Sequence, residues 1–328
     1  MKKAKVYDCF LFFQEVELLR LRLSYLYNKV DYFIIVESGQ TFSGRKKNFD
    51  FESIKESLSN FQDKIIYFKN EYIVESYNSL SGYLEKKGDP VSLNILDSMN
   101  NHTHYKKKEL NWVIDTFQRE SIKYPLSSSN LNDDDIVLFS DLDEIPSHHF
   151  IEACYQINNN FISNRQFEFS FKLNILSNEN WYGTIATKWK TLKFLSLNSL
   201  RLDVRQKFKI VQDLKIHHGG YHFTSYGQID KIKKKIVSTS HQEFNNFIIK
   251  LFLNKNIEFG MDIFGRTLKS QYKVIDIKNT FYFDEEMQKQ IKKYELMIAR
   301  NFFKKTPMYY YLFFILAKIA RAIYYFKN

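Results

Sequence analysis

Asp141, Asp143 and Glu144 follow, after Ser140, on four consecutive apolar residues, Ile136-Val137-Leu138-Phe139, within the stretch that runs from Asp133 to Pro146. Two aspartates two positions apart on extended backbone point to the same side. They could therefore face one cation and the diphosphate that it carries. A short Asp-x-Asp is common and reads as easily as a solvated acidic turn. Its place singles this one out. Four apolar residues are too few for a helix and read as a strand buried on both faces. Open α/β sheets take their ligands at the carboxyl ends of such strands. Pro146 is expected to open the following helix. A second polar cluster is His217-His218-Gly219-Gly220-Tyr221-His222. The paired glycines permit close backbone approach to a ligand, and His222 could give a neutral imidazole to a metal. No cysteine or helical His-x-x-x-His frame accompanies these histidines, so zinc is not expected.

These groups need a frame to hold them. Val6 to Phe13, Asp31 to Ser38 and Lys64 to Phe68 read as strands, and Val16, Leu19, Leu23 and Leu26 recur at helical spacing between the first two. Glu17, Arg20 and Arg22 fall on the other faces of that helix. Strand, helix, strand at this spacing predicts an α/β fold with a doubly wound, mostly parallel sheet. Residues 70–106 show weak periodicity and read as a surface insertion, with a mobile lid as the alternative. A helix is expected over 107–124. Residues 167–173 alternate as a strand, and short strands follow at 181–184 and 185–194. Helices are expected over 230–238 and 243–254, the second with Phe244, Phe247, Ile248 and Leu251 as its core-facing stripe. The sequence divides into a main domain, 1–290, and a C-terminal helical tail, 291–328.

Composition agrees with a folded globular protein. Of 328 residues 44% are hydrophobic, with 31 Phe and 22 Tyr, while only 10 Gly and 4 Pro exclude a low-complexity polymer. The formal charge of +11 suits an anionic partner, whether a nucleotide diphosphate, an acidic membrane or nucleic acid, although no nucleic-acid motif accompanies it. Cys9 and Cys154 stand in apolar contexts, as expected of buried thiols in a reducing compartment. The basic N-terminus runs straight into a strand, without the pattern of a signal peptide. Met308 to Ala317 is an apolar, aromatic-rich run followed by Lys318, Arg321 and Lys327. Ten residues are too few to span a bilayer, which takes about 20. The run is expected to lie on an anionic membrane surface, on the cytoplasmic face, with a helix docked on the domain as the alternative.

Seven stretches in order resemble glycosyltransferase family 17. They are Asp8 to Leu23, Val30 to Ser38 with Thr41-Phe42-Ser43-Gly44, Ser140 to Pro146, Trp181-Tyr182-Gly183-Thr184, Gly219 to Phe223, Ser240-His241-Gln242-Glu243 and Gly260 to Arg266. The resemblance covers roughly residues 6–285. The family more often has Asn where Gln14 stands and Trp where Tyr221 stands, and Gln118-Arg119-Glu120 matches only in part.

The resemblance implies a GT-A type, Rossmann-like fold, a UDP-sugar donor, a saccharide or lipid-linked glycan acceptor and inversion at the anomeric carbon. Set against that reaction, Asp143 is expected to hold Mn²⁺ or Mg²⁺, with Asp141 on the ribose or on metal-bound water and His222 as a further ligand. Several carboxylates beside a diphosphate repel it unless a cation intervenes. Arg205, Lys207 or Arg266 could neutralise phosphate. Inversion needs a general base, for which Asp262 and Glu144 are the candidates. Each also has a structural alternative: Glu144 could cap the next helix, and Asp262 could pair with Arg266. Glu37 is expected to bind the uridine or to shape its loop. Two other activities use the same features, a metal-dependent nucleotidyltransferase and a non-catalytic saccharide- or membrane-binding protein.

Overall fold

The computed structural model describes residues 3–157, 161–207, 218–268, 272–300 and 307–327. The strands are β1 (Val6–Leu11), β2 (Tyr32–Ser38), β3 (Ile65–Asn70), β4 (Ile136–Asp141), β5 (Glu144–Pro146), β6 (Ile162–Ser170), β7 (Ile175–Lys188), β8 (Gly220–Thr224) and β9 (Lys273–Val274). The chain forms two compact units. Unit 1 is Met1–Gln166 with Asn180–His222, and unit 2 is Phe167–Glu179 with Phe223–Asn328.

In unit 1 the strand order is β3-β2-β1-β4-β7-β6-β8-β5. The first four strands run parallel, and β4 meets β7 antiparallel, as β5 meets β8. The sheet is mixed rather than wholly parallel; its α/β arrangement is what the strand-helix-strand spacing predicts, and it is Rossmann-like as the resemblance implies. Strands β1, β2 and β4 are apolar and buried on both faces. On one face Tyr7, Cys9, Ile34, Val36, Val137 and Phe139 share a core cluster with Leu192, Leu197 and Val204. Residues one step along each strand point to the other face, where the crossover helix Val16–Leu26 lies. Strand order reverses at β1, which has β2 on one side and β4 on the other. Leu11 pairs with Asp141 in that register, so the acidic stretch leaves the sheet at the switch point.

Residues 70–106 are more regular than their weak periodicity suggests. They hold two helices, Tyr77–Lys87 and Pro90–Asn101, and Leu80, Leu84, Ile95 and Met99 share a core with Val113, Ile114 and Phe117 of helix Leu110–Glu120. Local signals start and stop them. Ser76 and Ser79 form a capping box, Gly88 ends the first helix in the left-handed region at φ 63°, and Asp89 caps the second with Pro90 at its first position. Pro146 does not open a helix. It ends β5, and Ser147 caps the helix His148–Cys154 by accepting from Phe150 N.

Unit 2 has the short pairing of β7 with β9 and a helical core in which Ile232, Ile249, Leu253, Met261, Tyr310, Phe313 and Ala317 meet. The helix Phe247–Glu258 matches the expected stripe in part: Phe244 and Ile248 pack against the core, but Ile249, Leu253 and Asn256 are the buried residues, and Phe247 and Leu251 are exposed. The C-terminal helix Tyr309–Lys327 is docked. The Tyr310 hydroxyl donates to the carbonyls of Asp262 and Thr267, and Arg321 donates to that of Gly265. At Gly265, φ is +62° and an added Cβ would lie 2.8 Å from the Ala317 Cβ, so only glycine lets the helix sit this close. Among the described residues, no helix is long and apolar enough to cross a membrane.

Candidate active site

Asp8 is a charged residue in the middle of a buried strand, and its neighbour in space is Arg22, which the crossover helix turns inward. Both side chains are fully buried, 2.6 Å apart. Arg22 was expected on an outer face of its helix; the demand of the buried Asp8 carboxylate for a counter-charge reverses that. The same guanidinium donates to the carbonyls of Asp141 (2.7 Å), Leu142 (3.1 Å) and Glu144 (3.2 Å) and to the Ser140 hydroxyl (2.7 Å). It thereby ties the whole turn between β4 and β5 to β1 and its helix. The acidic turn is anchored from beneath by one cation.

Asp141 ends β4 with two arginines on its carboxylate. Arg119 Nη1 donates to Oδ1, and Arg201 Nη2 donates to Oδ2 at 2.8 Å. Arg119 also pairs with Asp115 one helical turn back (3.0 Å) and lies over the Phe42 ring. Burial opposes the Arg119 charge, but Asp115 and Asp141 outweigh it, so its pKa is raised and the guanidinium stays protonated. On the same helix, Gln118 donates to the carbonyl of Gln40 (2.7 Å), which ties down the loop after β2. Glu120 accepts from the Ser196 hydroxyl and the Asn198 backbone amide at the start of helix Leu197–Lys207, the helix that carries Arg201.

Asp143 and His222 come together across the β5–β8 pairing, in which Glu144 is level with His222. Asp143 Oδ1 and His222 Nε2 are 4.0 Å apart, and both residues are nearly buried. Trp181 stacks on the imidazole with ring centroids 4.4 Å apart and so fixes its plane. Trp181 Nε1 also donates to Glu144 Oε1 (2.9 Å), while Glu144 Oε2 accepts from the Asp141 amide (2.9 Å). Glu144 therefore caps the turn of its own motif, not the helix after Pro146. It has no exposed surface, and both of its carboxylate oxygens accept hydrogen bonds in this arrangement. The paired glycines serve the sheet. Gly220 has φ +140°, and a Cβ there would lie 2.1 Å from the carbonyl of Ile145, so the close approach is to β5 rather than to a ligand.

Glu37, at the end of β2, is fully buried and shapes its loop. It accepts from Lys47 Nζ (2.5 Å), the Asp50 amide (2.7 Å), the Phe51 amide (3.0 Å) and the Tyr67 hydroxyl (2.8 Å). Glu37→Gln is expected to lower stability by about 1.5–3 kcal/mol through loss of these charge-assisted bonds, read by urea unfolding. An unchanged transition would remove the loop-shaping role. Beside this loop, a cleft of ≈ 380 Å³ is lined by Gly39, Lys46, Lys47, Asn48, Phe49 and Glu71. It lies at the carboxyl ends of β2 and β3, with a size in the range of small-molecule sites.

Asp262 and Arg266 lie in unit 2. Asp262 is buried, and it accepts from the Arg266 amide (2.5 Å) and from Arg266 Nη2 (2.9 Å), which is the pairing given above as its structural alternative. The side chains of Arg205 and Lys207, and the whole of His217, lie outside the described residues. Sequence reasoning missed Arg22, Arg119 and Arg201. For Arg119 a signal was present: Asp115, Gln118 and Arg119 recur at one helical face beside an apolar one, a spacing suited to an ion pair four residues apart.

Comparison with curated proteins finds no match. The model of glycosyltransferase family 17 matches residues 1–88 and 85–282, which takes in the acidic turn, its two arginines, Trp181 and His222. A match over most of the chain settles the family, and with it the class of reaction and the use of a sugar donor: the chain belongs to glycosyltransferase family 17.

Proposed function

We propose that this glycosyltransferase is an inverting, divalent-cation-dependent enzyme. It moves a sugar, N-acetylglucosamine or a relative of it, from a UDP-sugar to a saccharide acceptor in glycan, glycolipid or surface-polysaccharide synthesis. The observation that carries the reading is the pairing of Asp143 with His222 at the sheet's switch point, next to an aspartate held by two arginines.

Whether Mn²⁺ or Mg²⁺ suits these residues turns on the donor set. Among the described residues, no group of three or more His, Cys, Asp or Glu side chains is placed to hold a metal. Asp141 is engaged by its two guanidiniums, and Asp143 with His222 is the oxygen and nitrogen pair beside it. A carboxylate oxygen and an imidazole nitrogen suit Mn²⁺, and a cation shared with a substrate diphosphate needs only one or two protein ligands. The pair fits a cation that arrives with the donor. When bound, the cation supplies Lewis-acid charge to the departing diphosphate.

The chain's own residues do the rest. Joining Arg205, Lys207 and Arg266 as candidates for neutralising phosphate, Arg119 and Arg201 are buried cations on the Asp141 carboxylate. Their planar donors match phosphate oxygens, and Asp141 keeps both oriented before the donor arrives. Trp181 fixes the imidazole plane, and Arg22 fixes the turn. The cleft beside Phe49 has the position for the nucleoside end of the donor, with an aromatic ring for the base.

A screen of UDP-sugars with varied acceptors tests the reading by following nucleoside diphosphate release with Mn²⁺ and with chelator. The expected result is UDP release that depends on both acceptor and cation. Pyrophosphate release from a nucleoside triphosphate would instead favour the nucleotidyltransferase, and turnover indifferent to EDTA would remove the metal.

A further inference from the structure

The C-terminal helix Tyr309–Lys327 is apolar on two sides. Tyr310, Phe313 and Ala317 are buried in the unit 2 core. The opposite side carries Met308, Leu312, Ile315, Ile319, Ile323 and Phe326, three or four residues apart and all exposed. Ile315 is 56% exposed and Phe326 93%, so nothing within the described chain covers this row. A helix apolar all round is ordinarily enclosed.

The row does not stand alone. Helix Phe247–Glu258 runs antiparallel beside it: Phe259 and Phe252 meet Tyr309, Phe252 also meets Phe313, and the preceding Phe244 lies under Arg321. This second helix sends Ile249 and Leu253 into the same core cluster and leaves Phe247, 73% exposed, and Leu251 outside. The helices meet at Phe252, on the flank of the buried Ile249 and Leu253 row, and both turn their buried rows to one core, so their exposed rows share one outer side.

We propose that this two-helix face rests on an anionic lipid surface. Charge decides the occupant. The two helices carry Lys250, Lys255, Lys318, Arg321 and Lys327 against a single acidic residue, Glu258. A second copy of the chain on the same face would set these cations against one another. An anionic headgroup layer attracts them while its acyl boundary takes the apolar row, and Tyr311, Tyr325 and Phe326 suit the interface between the two. The inference goes beyond the transfer reaction, and its test reads binding alone.

Vesicles of phosphatidylcholine with and without phosphatidylglycerol are the probe, used with the whole chain. The protein is expected to sediment with the mixed vesicles at low salt and to be partly released at high salt. Ile315→Glu with Ile319→Glu should weaken partitioning roughly tenfold or more while urea unfolding is unchanged. Phe247→Ser with Leu251→Ser should weaken it too, which binding by the C-terminal helix alone does not predict. Lys250→Glu with Lys318→Glu, at exposed positions, reads the charge without touching the apolar row. Indifference of the wild type to anionic vesicles, or of sedimentation to all three variants, overturns the proposal. So does a dimer in lipid-free buffer that Ile315→Glu with Ile319→Glu dissociates, because the face would then belong to a second copy.

Discussion

Arg22→Met is expected to lower the stability of unit 1 by about 3–5 kcal/mol, the usual cost of removing one partner of a buried ion pair. The physical reason is double. Asp8 is left as an uncompensated charge with no exposed surface, and the carbonyls of Asp141, Leu142 and Glu144 lose their common donor. Arg22→Lys keeps the charge but not the fork that reaches Asp8 and the turn together, so its cost should be intermediate. The double variant Asp8→Leu with Arg22→Met removes both charges and should recover part of the loss, although not the turn's donor. All three tryptophans, Trp112, Trp181 and Trp189, lie in unit 1, so tryptophan fluorescence during urea unfolding reads that unit. A cost below about 1 kcal/mol for Arg22→Met would mean that the bridge does not hold the turn.

That bridge also marks how much of the site could be read from sequence. The acidic turn was legible because a four-residue apolar run has few alternatives to a buried strand, and the strand-helix-strand spacing supplied its sheet. Arg22 was not, because helical periodicity puts an arginine outside by default. The contrary signal sits 14 residues earlier, where Asp8 interrupts an apolar strand. A buried carboxylate requires a partner, but a sequence does not say which of 48 basic residues provides it.

The same limit applies to Arg119 and Arg201, which reach Asp141 from 22 and 60 residues away, a separation that no local pattern reports. Residues 70–106 failed for another reason: their apolar residues are sparse, so periodicity is weak, yet Asp89-Pro90 and Gly88 punctuate two helices clearly. For helix Phe247–Glu258 the period was legible and the phase only in part, since Phe244 and Ile248 pack on the core while Phe247 and Leu251 do not. Apolar residues lie on more than one side of it, and only the docked C-terminal helix fixes which row is buried.

Asp143→Asn is expected to lower kcat by on the order of 10²–10³-fold with the UDP-sugar that proves to be the donor, the size of loss seen when one charge-stabilising group leaves a preorganised site. The substitution keeps shape and removes the charge through which Asp143 would hold the cation, so the cation concentration for half-maximal rate should rise as well. His222→Gln should move the same two readings by less, because a neutral ligand contributes less charge to the site. Asp141→Asn makes the contrast. Its carboxylate is bound to Arg119 and Arg201, so its loss should loosen those two guanidiniums and raise the donor KM while leaving the cation dependence nearly unchanged. A cation titration of UDP release on the three variants, each checked by tryptophan fluorescence for an intact unit 1, separates the two aspartates. If Asp141→Asn shifts the cation dependence and Asp143→Asn does not, the roles are exchanged and the two arginines must release Asp141 when the donor binds. If neither variant shifts it, the aspartates do not hold a cation at all.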